Sequence, residues 1–281
     1  MVYSAMDQVV PNEYLRKAED FADLVYKKTK VFLPTASRLC LISTFIEDGL
    51  RMYFQWTQQK EYMDMSWGCG SFLATLFVFI NLVGQLGGCV LVIIQKQVPA
   101  ACGVLFFIVV LQTFAYDILW DLHFLLRNLA LIGALLLVLA DSKAETRTLL
   151  AGVPTLDTNK PKNYLQLGGR ILLAFMFITL IRLEISFFQI LQDLFSSALM
   201  ILVMIGYKTK LSALLLVGFL SFLNFYHNAW WNVPSYKPLR DFLKYDFFQT
   251  FSVVGGLLMI VLRGPVVCQW MSTRKIGRGY N

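Results

Sequence analysis

The sequence predicts an all-α polytopic membrane protein of about eight transmembrane helices. Three observations carry that prediction: long apolar blocks, a scarcity of charge, and a one-sided placement of basic residues. Blocks such as LFVFINLVGQLGGCVLVII and GVLFFIVVLQTFAY run continuously instead of forming amphipathic stripes. About 20 largely apolar residues make a helix long enough to cross the hydrocarbon core. Of the 281 residues, 57% are hydrophobic and only 15% charged, against about a quarter charged in an ordinary soluble domain. The net charge of +7 gathers in the N-terminal arm and the inter-helix loops, where cytosolic segments collect Lys and Arg. No basic stripe with interleaved aromatics accompanies it, so nucleic acid is not an expected partner.

An N-terminal arm, 1–33, lacks the apolar core of a signal peptide, so the first spanning helix is expected to target the chain as well. Eight spans are expected at 34–56, 69–94, 99–120, 122–140, 166–188, 191–206, 210–231 and 245–263. Pro34 and Pro99 stand near helix starts, where a missing backbone donor costs little. With eight spans, Lys27, Lys28, Lys30, Lys96, Lys143, Arg147, Lys160, Lys162, Lys208 and Lys210 all fall on one side. That side is expected to be the cytosol, with both termini in it.

The chain also reads as internally doubled. FLLRNLALIGALLLV (124–138) aligns without gaps with DFFQTFSVVGGLLMI (246–260), placing Gly133 over Gly255. An arginine leads an apolar run in each half, RLCLISTF from Arg38 and RILLAFMF from Arg170. The expected organisation is a four-helix unit over 34–141, a cytosolic linker over 142–165, a second four-helix unit over 166–263 and a tail over 264–281. An interface between two such halves is a natural place for a binding cavity.

Ionisable side chains inside a span cost roughly 2.5–3.5 kcal/mol each near the helix centre, so those present need a reason. The first span holds Glu47, Asp48 and Arg51, with Arg51 on the same helix face as both acids. They form either an internal ion pair that leaves one acid needing a partner, or an acidic pocket facing the lumen. A second group comprises Asp117, Asp121, His123 and Arg127, and Arg182 and Glu184 lie near the luminal end of the fifth span. The two histidines, His123 and His227, fall on the luminal side, as structural polar groups or as a switch responding to mildly acidic compartments.

Gly84 and Gly88 permit close helix approach in the second span. Asn81 and Gln85 share a face there and are expected to hydrogen-bond to a neighbouring helix. The segment NFYHNAWWNVPSY reads as an interfacial aromatic belt or an apolar floor for a peptide. The five cysteines show no metal or redox spacing, and no enzyme motif, metal site or cofactor site is present.

The strings RLCLISTFIEDGLRMYFQW, GQLGGCVLV, AGVPT, PKNYLQLGGR, YKTKLSALLLV and VPSYKPLRDFLKYDFFQTFSVVGGLLMIV resemble the surfeit-locus-4 family over about residues 13–262. A more distant similarity is to the DoxX-type four-helix membrane fold. The resemblance implies a non-enzymatic receptor in the endoplasmic reticulum membrane. It would bind soluble secretory cargo through the cargo's N-terminal residues and load it into COPII vesicles. It would then cycle through the intermediate compartment and Golgi and return through COPI. Implied partners are cargo N-termini, COPII and COPI coat components, membrane lipids, and other early-secretory receptors or a second copy of the chain. Glu47, Asp48, Asp117 and Asp121 are the candidates for a cargo amine, an assignment made from charge and position. Arg51, Arg127, Arg182 and Glu184 are supporting charges. A small-molecule or lipid transporter is the alternative, and a membrane redox enzyme is a third reading by fold analogy alone.

The family's dilysine-type tail, in a pattern like GVSMDEHKKxW, is absent as written. Arg274 and Lys275 sit too far from Asn281 to replace it. Permitted codons for Cys268 to Arg278, read two bases later, give Ser-Met-Asp-Glu-His-Lys-Lys-Asp-Trp and a stop. The segment from about Leu262 onward therefore reads as frameshifted.

Overall fold

The computed structural model describes residues 12–117, 120, 122–149, 187–205, 207–234 and 236–263, with 171, 173–175, 177, 178 and 180. Among these residues nine α-helices and one 3-10 turn follow in order. They are α1 (Asn12–Thr29), α2 (Leu33–Phe54), α3 (Trp56–Trp67), α4 (Gly70–Ile94), α5 (Val98–Ala115) and α6 (Leu122–Leu149). Then come α7 (Phe187–Ile205), α8 (Thr209–His227), the 3-10 turn Trp230–Asn232 and α9 (Pro238–Arg263).

Local chemistry sets several boundaries. Pro34 and Pro99 occupy the first turns of α2 and α5, where their fixed φ favours the helix and no donor is lost. Gly68 closes α3 in the left-handed region, φ 56°, with its N–H donating to the Asp64 carbonyl at 2.8 Å, a conformation that costs glycine nothing.

Among the described residues six helical segments are long and apolar enough to cross a membrane: Gly70–Ile94, Val98–Ala115, Phe124–Ser142, Phe187–Ile205, Thr209–Asn232 and Pro238–Leu262. Helix α2 has the length but carries Arg38, Glu47, Asp48 and Arg51. The expected fifth span, 166–188, lies mostly outside the described residues, and so does the tail with Arg274 and Lys275. Several boundaries move. The segment after the first span forms helix α3 instead of a loop, because Trp56, Met63 and Trp67 recur on one face and Met63 is buried. Helix α5 stops at Ala115, before the expected end at 120, and α6 runs on to Leu149 inside the expected linker. Helix α9 begins at Pro238, seven residues before the expected start at 245, with Asp241 in its first turn, where a carboxylate meets the positive end of the helix dipole.

The packing is organised around α2 and α9, which make the most extensive helix–helix contact. On one side α2, α4, α5 and α6 enclose a core that includes Ile42, Phe45, Leu105 and Leu135. On the other, α7, α8 and α9 enclose Met200, Leu216, Val253 and Leu257, together with Leu173. The seam is shared: Met259 of α9 belongs to the first core, and Leu33 of α2 to the second. Outward-facing residues such as Phe72 and Phe107 are large, apolar and exposed, as expected of a lipid-facing surface.

Close approach along the seam depends on Gly255, where a Cβ would lie 2.6 Å from the Leu41 nitrogen and 2.7 Å from the Ser37 oxygen. Hydrogen bonds line the same seam: the Ser252 hydroxyl donates to the Leu41 carbonyl at 2.9 Å, and Ser43 and Thr44 reach the Phe248 carbonyl. Gly84 and Gly88 bring α4 against Ile108 and Leu105 of α5, the close approach their spacing predicts.

Lys208 and Lys210, in the α7–α8 turn and first turn of α8, pair with Glu19 and Asp23 of α1 at 3.0 and 3.1 Å. At the same end Arg38 of α2 donates from Nε to Asp141 of α6 at 2.6 Å, both residues buried.

A buried polar cluster and its cavity

Thirteen residues along α2 from Arg38, about 20 Å at 1.5 Å per residue, the helix carries Arg51 and, just before it, Glu47 and Asp48. Arg51 Nη2 donates to Asp48 Oδ1. Asp48 Oδ2 accepts two more hydrogen bonds, from Gln85 Nε2 of α4 at 2.5 Å and Gln112 Nε2 of α5 at 2.8 Å. Three helices thus meet on one carboxylate. Such convergence offsets the cost of taking a charge out of water, because both carboxylate oxygens accept hydrogen bonds, one of them from a guanidinium.

Glu47, one residue earlier and so about 100° further round the helix, turns away from the Gln85 and Gln112 side of α2. It is 2% exposed and faces α9, with Oε1 3.6 Å from Lys244 Nζ. Lys244 also sits over the Trp230 ring, as does Arg240. Of the two readings of this triplet, the internal pair is present, and the acid it leaves over finds its cation in the second half of the chain.

Asp48 and Arg51 form part of the wall of a cavity of about 570 Å³, within the ~300–1,000 Å³ usual for small-ligand sites. Helix α2 adds Thr44 and Phe45, and α3 to α5 supply Gln59, Gln85 and Gln112. Tyr116 and Asp117 follow α5, and α6 contributes Phe124, Asn128 and Leu131. The remaining wall comes from the start of α9: Pro238, Asp241, Phe242 and Tyr245. The cavity therefore draws on both 34–141 and 166–263. It holds three carboxylates against one guanidinium, among aromatic and aliphatic walls.

Its rim is held by side-chain hydrogen bonds. The Tyr116 hydroxyl donates to Gln59 Oε1 at 2.9 Å, and its ring stacks on Tyr62. Burial, and then the charge of Asp48, push the Tyr116 phenol up from its ordinary pKa, so it remains a donor through the physiological range. Gln55 Nε2 donates to Asp241 at 3.1 Å, and Asn128 Nδ2 to Thr113 at 2.8 Å. Asp117 is exposed with φ 54°, a conformation that aspartate tolerates better than most residues.

The sequence candidates divide clearly. Asp48, Arg51 and Asp117 share the cavity, whereas Glu47 does not line it. Asp121, Arg182 and Glu184 lie outside the described residues, and His123 and Arg127 are placed only by the backbone of α6. His227, in the last turn of α8, approaches Gln192 Oε1 at 3.3 Å and does not line the cavity. Gln85 bonds across to α2 as expected, but Asn81 Nδ2 donates back to Phe77 of its own helix. The unexpected participants are Gln59, Gln112, Tyr116 and Asp241. Gln112 carried a signal, since a glutamine inside an apolar run needs a polar partner. No group of His, Cys, Asp and Glu among the described residues could hold a metal ion.

Residues 12–275 match the SURF4 family. The chain is 69% identical over 256 residues to the Surfeit locus protein 4 homolog of Drosophila melanogaster, covering 91% of this chain and 95% of that protein. It is 39% identical over 238 residues to the Surfeit locus protein 4 homolog of Schizosaccharomyces pombe, covering 83% and 79% respectively. It is 35% identical over 242 residues to the ER-derived vesicles protein ERV29 of Saccharomyces cerevisiae, covering 85% and 76%. No solved structure matches. With the family matched across nearly its whole length and six apolar helices long enough to span, the chain is a multi-pass membrane protein that belongs to the SURF4 family.

Proposed function

We propose that this protein is a cargo receptor of the endoplasmic reticulum membrane that binds soluble secretory proteins through their N-terminal residues and exports them in COPII vesicles to the Golgi. The observation that carries the reading is the cavity: an excess of carboxylate over guanidinium, walled by Phe45, Phe124, Leu131 and Phe242. A free α-amine followed by apolar side chains complements those two features together, since the amine is cationic at neutral pH and the side chains gain by leaving water. The name of the Saccharomyces relative, which places that protein in ER-derived vesicles, supports the same setting. In this reading the cavity faces the lumen, both termini are cytosolic, and return from the Golgi uses COPI.

The test is secretion of a soluble reporter from cells lacking their own receptor, rescued by this chain with its tail as written and with the reframed dilysine tail. The reporter begins with an apolar or an acidic tripeptide. Selective rescue of the apolar form is expected. Correct expression without rescue under either tail would overturn the reading and favour a transporter of small molecules or lipids, for which the same cavity would be a passage.

A further inference from the structure

Helix α1 is the most amphipathic of the described helices and is polar on average, the combination that lets a helix lie in a membrane interface instead of crossing it. One side of it is fixed to the bundle. Glu19 and Asp23 pair with Lys208 and Lys210 at the start of α8. Lys210 also sits 5.0 Å from the centre of the Tyr26 ring, Tyr26 packs against the core of α7, α8 and α9, and Ala22 one turn earlier is buried. Two of the helix's carboxylates are therefore paired within the protein, and this clamp sets which face of α1 points outward.

That outward face is basic and apolar together. At 100° per residue, Lys17, Phe21, Leu24 and Lys28 fall within an arc of about 60°. All four are exposed, Phe21 at 66% and Leu24 at 50%. Two large apolar side chains thus stand between two lysines on the side that the clamp leaves open. The surface continues past the helix: Val31 and Phe32 are exposed too, and α2 begins at Leu33, so the apolar stripe runs on into the lipid-facing bundle. Lys30 adds a further exposed charge there. We propose that this face of α1 docks on an anionic lipid leaflet, with Phe21, Leu24, Val31 and Phe32 below the headgroups and Lys17, Lys28 and Lys30 on the lipid phosphates. Lysine suits those places because its stem lies along apolar surface while the ammonium reaches out to the anion. Burial of the apolar side chains supplies attraction to any bilayer, and the lysines add the preference for negative charge. The chemistry recognised is a layer of anionic headgroups over hydrocarbon.

The inference is independent of the cargo-receptor reading. It is tested by hydrogen–deuterium exchange on the purified full chain in lipid nanodiscs, one copy per disc. Discs of phosphatidylcholine alone are compared with discs of phosphatidylcholine mixed with phosphatidylserine. Amides of α1 are expected to exchange about thirtyfold more slowly in the anionic discs, the scale of two lysines held near a charged surface, because membrane contact adds to the cost of local opening. Lys17→Gln with Lys28→Gln should remove most of that difference. Arg16→Gln with Lys27→Gln, the same loss of charge outside the arc, should remove little of it. Phe21→Ser with Leu24→Ser should speed exchange of α1 in both kinds of disc.

Exchange of α1 at the same rate with and without anionic lipid would overturn the inference, as would equal effects of the two charge-removing pairs. Slow exchange that appears only when two copies share a disc, whatever the lipid, would also overturn it and assign the face to a second copy of the chain. If the substituted chains do not fold, the comparison of the two lipids on the wild-type chain still decides the question.

Discussion

Replacing Gly255 by alanine should loosen the contact between α2 and α9. The added Cβ would sit 2.6 Å from the Leu41 nitrogen, 2.7 Å from the Ser37 oxygen and 2.8 Å from the Cys40 Cβ. Two of these atoms are backbone, so no rotamer change relieves the clash and α2 and α9 must move apart. That movement stretches the hydrogen bonds from Ser252 to the Leu41 carbonyl and from Ser43 and Thr44 to the Phe248 carbonyl. Overpacking of this kind typically costs about 1–3 kcal/mol. At about 2–4 °C per kcal/mol for a chain of this size, the expected fall in Tm is about 2–12 °C. The assay is thermal unfolding of the detergent-purified protein followed by intrinsic fluorescence. Gly218→Ala in α8 is the control, because its Cβ meets nothing within 4 Å, and it should match or slightly exceed wild type. A Gly255→Ala protein melting with the wild type would refute the claim that backbone contact defines this seam.

Asp141→Asn should weaken the bond that Arg38 Nε makes to Asp141 and destabilise the protein by about 1.5–3 kcal/mol. The pair replacement Arg38→Met with Asp141→Leu should recover most of that in the same melting assay. Lys244→Met removes the cation facing Glu47 and should cost toward the lower end of that range, because Lys244 is partly exposed. Adding Glu47→Gln should restore stability, and its failure to do so would argue against the pairing. His227→Gln should leave the pH dependence of peptide release unchanged, since His227 lies beside Gln192 and away from the cavity wall; a displaced pH profile in a peptide-binding assay would contradict this.

Much of the membrane architecture was legible because it depends on short-range properties. Apolar block length located the helices, Pro34 and Pro99 marked their starts, and the spacing of Gly84 and Gly88 identified a close contact. The Asp48–Arg51 pair was legible for the same reason, being one helical turn apart. The partners of the remaining charges were not. Arg38 finds Asp141 more than a hundred residues away, and Glu47 finds Lys244 in the last described helix, and neither is implied by local spacing. Helix α3 was missed because QQKEYMD looks polar when its few apolar residues are not counted on a helical face. Asp241 was missed because α9 begins earlier than its apolar run, so a residue assigned to a loop became part of the cavity wall.

The cavity has a built-in order of assembly. Most of its wall lies on α2 to α6, which leave the ribosome early, but Asp241, Phe242 and Tyr245 belong to α9, the last of the described helices to be synthesised. Until α9 inserts and meets α2 along the Gly255 seam, the polar cluster on α2 is an open half-site. A half-made chain would therefore have no enclosed cavity. Quality control that senses exposed charge in the membrane would see Glu47 without Lys244, an unfinished chain marked by its own unpaired acid.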